Sequence, residues 1–192
     1  MRGILGQVEA SAIIEADRRE LFCYTDWCYN VPEWFSAIRK TRILKLPNSN
    51  GLGKITYYNG TILGRQLEWE SQLVEWKENE FWKMKAFKGM TAKMNMYMKL
   101  LFEDAEAGGT KVTGLVGFRA PYPIIGPLID RFYLRNEAQR LVNVAIGGLK
   151  CLAAEHKIPS VASQLEKRKV DHPGYTGPQV SSLVGSIPHV TN

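Results

Sequence analysis

The spacing of apolar positions switches between two periods along this chain, and the switches mark its elements. From Gln7 to Glu15 the period is two: Val8, Ala10, Ala12 and Ile14 alternate with Gln7, Glu9 and Ser11, as in a half-buried strand. Asp17, followed by Glu20 three residues on, predicts a helix N-cap with a capping box. Leu21, Phe22 and Tyr24 supply the apolar side of a short helix from Arg18 to about Trp27. A second short helix is expected from about Val31 through Ile38, with Pro32 suited to its first turn and Trp34 and Phe35 as its anchors. From Arg39 the period is again two. Strands are expected over 39–46, 54–63, 66–76, 81–88, 90–103 and 110–119, separated by turn chemistry such as Pro47-Asn48-Ser49-Asn50-Gly51 and Lys77-Glu78-Asn79-Glu80. Short turns between consecutive strands make antiparallel hairpins. After a turn-rich lead from Ala120 to Pro127 the spacing becomes helical. Leu128, Leu134, Ala138, Leu141, Val142, Ala145, Leu149 and Leu152 form one stripe, and Glu137, Arg140 and Lys150 fall away from it. This is an amphipathic helix of about eight turns, running to Lys157. The class is therefore α+β: seven strands, two short helices after the first strand, and a long C-terminal helix whose stripe needs the sheet as cover.

Past Ile158-Pro159 the composition shifts. Residues 160–192 carry Pro173, Pro178 and Pro188, three glycines and many Ser and Thr, with helical spacing only over Val161–Lys169. The expected organisation is a domain over 1–157 and a flexible or loosely docked tail over 158–192. A length of 192 residues with 45% hydrophobic positions suffices for one sizeable core. The net charge of +6 is compatible with contact to an anionic membrane surface or an acidic partner. The basic residues are scattered and carry no nucleic-acid motif, so no nucleic acid is expected as a partner. Cys23, Cys28 and Cys151 give neither a C-x-x-C nor an even count, which fits reduced thiols and a cytoplasmic protein. No signal peptide is expected, because Glu9 interrupts the N-terminus before any long apolar run, and no stretch reaches the ~18 apolar residues of a membrane span. The sequence does not fix an oligomeric state.

Candidate chemistry is concentrated in the methionines. Apart from Met1, every Met lies between residues 84 and 98. Met90, Ala92, Met94, Met96, Met98, Leu100 and Phe102 share one parity in the expected 90–103 strand, and Trp82, Met84 and Ala86 would face the same way on the strand before. Leu67, Trp69, Ser71 and Leu73 join them one strand earlier. Such a face is either a soft core or a deformable cavity wall for a bulky apolar ligand; the clustering of Met, which adapts to different shapes, favours the wall. Gly147-Gly148 inside the long helix calls for compensation by close backbone packing or by room for a ligand. Arg131 and Arg135 point near the direction of Ala138 and Val142. They line a cavity mouth and hold an acidic head group, or they snorkel to solvent or pair with a carboxylate. His156, His172 and His189 lie outside the candidate face, so neither a His-based triad nor a metal cluster is expected, and no cofactor. Glu68 and Glu70 fall on the face opposite Trp69 and read as a solvated strand face.

Three segments in combination resemble the START/Bet v 1-like superfamily (SRPBCC), polyketide cyclase/dehydrase-like branch. Pro32-Glu33-Trp34-Phe35 is similar to that family's P-x-W-[FY] segment, and Gly51-Leu52-Gly53-Lys54 to its glycine-bearing turn before the third strand. Ile125-Gly126-Pro127-Leu128-Ile129-Asp130-Arg131 resembles the entry to its terminal helix. The resemblance covers residues 7–157 and implies a helix-grip fold, in which a curved seven-stranded antiparallel sheet wraps a long C-terminal helix with a deep apolar cavity between them. It implies binding or carriage of a hydrophobic small molecule such as a lipid, quinone or polyketide-like compound. The alternatives are an aromatase/cyclase or dehydratase-type enzyme, with Tyr57 or Asp26 as proton carriers, and a protein-interaction module. Catalysis is the less supported of these. The candidate ligand-binding set is Tyr57, Trp69, Trp82, Met84, Met94, Met96, Met98, Arg131, Phe132 and Arg135.

Overall fold

A computed structural model gives the structure of the chain and describes residues 5–47, 51–119, 133–173 and 175. The strands are β1 (Leu5–Ile14), β2 (Ile38–Lys45), β3 (Ile55–Ile62), β4 (Arg65–Lys77), β5 (Phe81–Gly89), β6 (Tyr97–Asp104) and β7 (Thr110–Arg119). They form one seven-stranded antiparallel sheet in the order β1-β7-β6-β5-β4-β3-β2. Every hairpin from β2 to β7 thus pairs sequential neighbours, and only β1 reaches across, to pair with β7. Between β1 and β2 lie α1 (Arg18–Asp26), a short 3-10 turn (Cys28–Asn30) and α2 (Val31–Trp34). Asp17 caps α1 by accepting from the backbone N–H groups of Arg19 and Glu20 at 2.8 and 3.2 Å, as its sequence position predicts.

One expected strand does not form as such. Gly89, at φ 91°, ends β5, and Met90–Lys93 close a single helical turn, α3. Asn95 at φ 47° then turns the chain back into β6. A left-handed residue at each end of the turn breaks the two-residue period, so the 90–103 segment is a helical turn followed by a strand beginning at Tyr97.

The long helix, α4 (Arg135–Ala154), lies across the concave face with Ala138, Leu141, Val142, Ala145, Ile146 and Leu149 buried against the sheet. Leu128 of the expected stripe lies outside the described residues, as does the whole lead from 120 to 132. Two glycines set the helix height. A Cβ on Gly114 in β7 would stand 2.7 Å from the Val142 side chain, and one on Gly148 would stand 1.9 Å from the Trp34 carbonyl oxygen. Gly148 is therefore explained by close backbone packing against α2, whereas Gly147 faces open space.

Near its N-terminus α4 is tied to the β3–β4 turn. Glu137 accepts from the Leu63 backbone N–H at 2.8 Å and from Arg140 at 2.7 Å. The hydrogen bond from Arg140 is the main cause that holds the Glu137 carboxyl below its ordinary value, helped by the Leu63 N–H and opposed by burial. A depressed folded-state pKa gives stability that is present above the unfolded value, about 4.3, and lost as the pH falls through the folded one. Urea unfolding should therefore separate the wild type from Glu137→Gln at neutral pH. The gap should close only as the pH falls through the depressed folded-state value, below which both carry a neutral group.

Beyond α4, His156 takes a left-handed conformation (φ 53°) that ends the helix, and Ser160 caps α5 (Val161–Asp171). This helix packs on α1. Gln164 donates to the Glu20 and Pro159 carbonyls at 3.1 and 2.6 Å, and Trp27 donates to Asp171 at 2.9 Å. At the centre Asp26 bridges two buried cations: Lys54 at 3.2 Å and Arg168 at 3.6 Å, with side-chain exposures of 12%, 3% and 7% for the three groups. Arg168 also donates to the Cys23 carbonyl and to the Tyr175 hydroxyl, and its guanidinium lies 5.0 Å from the Trp27 ring. Of the segment from 158 onward, residues 161–171 are thus a helix held by side chains separated from it by more than a hundred positions.

Candidate functional site

Between the sheet and α4 lies a cavity of about 90 Å³. Strand parity builds most of its wall. Trp69 and Ser71 point inward from β4, Trp82, Met84 and Ala86 from β5, and Met98 from β6. The register aligns them: Leu73 opposes Met84, Ser71 opposes Ala86, and Met84 opposes Met98. A register shift between Leu73 and Glu75 then brings Trp76 opposite Trp82, where it packs edge-on against Phe22 at 5.7 Å. The remaining wall comes from Trp34 and Phe35 at the end of α2, from Ile38, Tyr58 and Ile62 on the outer strands, and from Leu141 of α4. Tyr58 stacks on Trp69 with ring centroids 5.5 Å apart, and burial holds its phenol protonated far above the usual range.

The candidate residues divide by where the backbone puts them. Trp69, Trp82, Met84, Met96 and Met98 come together in the cavity wall. Tyr57 does not join them: one position from the inward-facing Tyr58, it lies on the outer face of β3 under the Arg42 guanidinium, 5.8 Å from its ring. Met94 is buried at the end of α3 as part of the general core, without lining the cavity. Arg135 is exposed in the first turn of α4. Arg131 and Phe132 lie outside the described residues. Asp26, a proton carrier in the cyclase alternative, is held between Lys54 and Arg168 and does not line the cavity. Glu68 and Glu70 sit on the outer face with Asn59 and Lys88 as partners.

Sequence reasoning passed over Trp34, Tyr58 and Thr91. Trp34 and Thr91 line the cavity at 1% and 2% exposure, and neither the Trp34 indole N–H nor the Thr91 hydroxyl has a hydrogen-bond partner among the described residues. A buried polar group left unpaired costs about 1–3 kcal/mol. The sequence signal for Trp34 was its place beside Pro32 in an anchor segment; that for Thr91 was hidden by the assumption of a continuous strand. No described residue lining the cavity carries a carboxylate, imidazole, ammonium or guanidinium group. Nor do the described residues contain a group of three or more His, Cys, Asp or Glu able to hold a metal ion. No described helix is long and apolar enough to cross a membrane.

The architecture is that of the START/Bet v 1-like (SRPBCC) helix-grip fold. A START superfamily protein from Mycobacterium smegmatis is similar at a TM-score of 0.66 and 13% identity, over 78% of this chain and 98% of that one. The Zhui aromatase/cyclase from Streptomyces sp. R1128 is similar at 0.64 and 13% identity, over 89% and 99% of the two chains. The ginseng major latex-like protein 151 from Panax ginseng follows at 0.61 and 15% identity, over 82% and 100%. At these identities the likeness is one of fold. No family model matches the chain. No curated protein matches it by sequence either.

Proposed function

We propose that this chain binds or carries a hydrophobic small molecule, a lipid, quinone or polyketide-like compound, between the sheet and α4. The observation that carries this is the make-up of the cavity wall: mostly indole rings, thioethers and aliphatic side chains, with no carboxylate, imidazole, ammonium or guanidinium group among the described lining residues. That absence weighs against the aromatase/cyclase alternative, which the likeness to a solved cyclase would otherwise raise. The cavity of about 90 Å³ is well below the roughly 300–1,000 Å³ of a typical ligand pocket. A bulky occupant therefore has to displace wall atoms, and Met84, Met96 and Met98, with unbranched flexible side chains, are the ones that yield at least cost. Exposed Phe87 and Met90, beside exposed Lys85, Lys88 and Lys93, offer a surface suited to an anionic membrane from which such a molecule would be collected.

Mass spectrometry of solvent-extracted protein should find an apolar compound. Nile red should bind the wild type at least about tenfold more tightly than Met98→Asp, which places a charge in the apolar wall. Equal dye affinity in the two, with no extracted compound, would remove the proposal.

A further inference from the structure

Two buried polar groups in the wall of the proposed cavity are left unsatisfied among the described residues. Three indoles line it. The Trp82 N–H is provided for, donating to the Thr25 hydroxyl at 3.2 Å, and Trp69 is only partly buried. The Trp34 N–H belongs to a side chain only 1% exposed and has no acceptor among the described residues. Thr91, in the helical turn that interrupts the sheet, is equally buried and equally unpaired at its hydroxyl. Thr56 and Trp76 also carry unpaired buried atoms but do not line the cavity. An indole N–H can only donate, and a threonine hydroxyl can donate or accept. What either donor lacks is an oxygen acceptor, and one without charge, since no described lining residue would neutralise a charge.

We infer that the ligand carries a neutral carbonyl-type oxygen, of a ketone, quinone or ester, and that Trp34 and Thr91 are the donors that recognise it. A pure hydrocarbon leaves both donors unpaired, and a free carboxylate brings an uncompensated charge into an apolar wall. This rests on the proposed function and narrows it. Placement strengthens the assignment. Trp34 is fixed by the contact of its own carbonyl with Gly148 and by stacking on Phe35 at 5.8 Å. Thr91 is fixed by a left-handed residue on either side of its turn and by its carbonyl accepting from Met96 at 3.0 Å. Both donors therefore sit on fixed backbone, whereas the methionines of the wall adapt to the rest of the molecule.

The test is a matched pair of probes, acetophenone and isopropenylbenzene, which share a shape and differ in C=O against C=CH₂. Isothermal titration of the wild type should show the ketone binding about tenfold more tightly. Thr91→Val, close to isosteric, should reduce that ratio several-fold, and Trp34→Phe should do the same if it folds. Equal affinities in the wild type would overturn the inference while leaving the apolar cavity standing. A ketone preference that survives both substitutions would overturn it too, by showing that bound water already satisfies the donors. If neither probe binds, the proposed function fails and the inference fails with it.

Discussion

Alanine at Gly148 should cost about 3 kcal/mol or more of stability, while alanine at Gly147, its neighbour, should add roughly 0.5–1 kcal/mol. The two positions share a helix, a residue type and a propensity, so the opposite signs come from packing alone. A Cβ on Gly148 would lie 1.9 Å from the Trp34 carbonyl oxygen and 2.8 Å from its carbonyl carbon. Those are backbone atoms, and no rotamer change clears them. Either α4 lifts away from α2 or the α2 turn is rebuilt, and both open the core beneath Leu149 and Ala145, each fully buried. At Gly147 no atom lies within reach of a Cβ, so alanine only restricts the unfolded chain and improves helix propensity. Chemical denaturation of the two variants measures both. A Gly148→Ala protein as stable as the wild type would mean that α4 does not sit this low.

Asp26→Ala should be nearly as damaging, at about 3–5 kcal/mol, because it removes one anion and strands two cations. Lys54 and Arg168 are almost wholly inaccessible, and Asp26 is the carboxylate that meets both. Their remaining partners are neutral: the Asp26 and Cys23 backbone carbonyls, the Tyr175 hydroxyl and the Trp27 face. The loss should be local as well as global. α5 should release, Trp27 emission should shift to the red, and limited proteolysis should begin to cut near Pro159. Arg168→Met alone should give the same release with a smaller loss, since Lys54 keeps Asp26 neutralised. Wild-type protease resistance in Asp26→Ala would show that apolar contacts, not the charges, hold the helix.

The sequence made the fold legible because most of its strands keep strict parity. Val112 and Val116 in β7, or Trp69, Ser71 and Leu73 in β4, can face only one way if the sheet has one buried side. The stripe from Ala138 to Leu149 similarly left the long helix one face to bury. Parity was also where the candidate site became illegible. Tyr57 and the cavity-lining Tyr58 differ by one residue, and in a strand one residue is the whole thickness of the sheet. The methionine run concealed a turn because Met90, Thr91 and Ala92 fit a strand or a helix equally well; the decisive residues, Gly89 and Asn95, act through backbone angles that composition does not display. The Asp26–Lys54–Arg168 cluster joins positions that no local pattern connects. Asp26 was readable only as a proton carrier of the cyclase alternative, and Lys54 and Arg168 carried no signal that joined them to it.

The glycines under α4 have a mechanical consequence. With Gly148 against the α2 backbone and Gly114 beneath the short branched side chains of Val142 and Ile146, the helix touches its supports with little flexible side chain between to act as a spring. Opposite it, Met84, Met96 and Met98 are all spring. The cavity is therefore a vice with one fixed jaw and one compliant jaw. A larger occupant would be felt in the sheet wall and at the outer strand faces, while the helix kept its place.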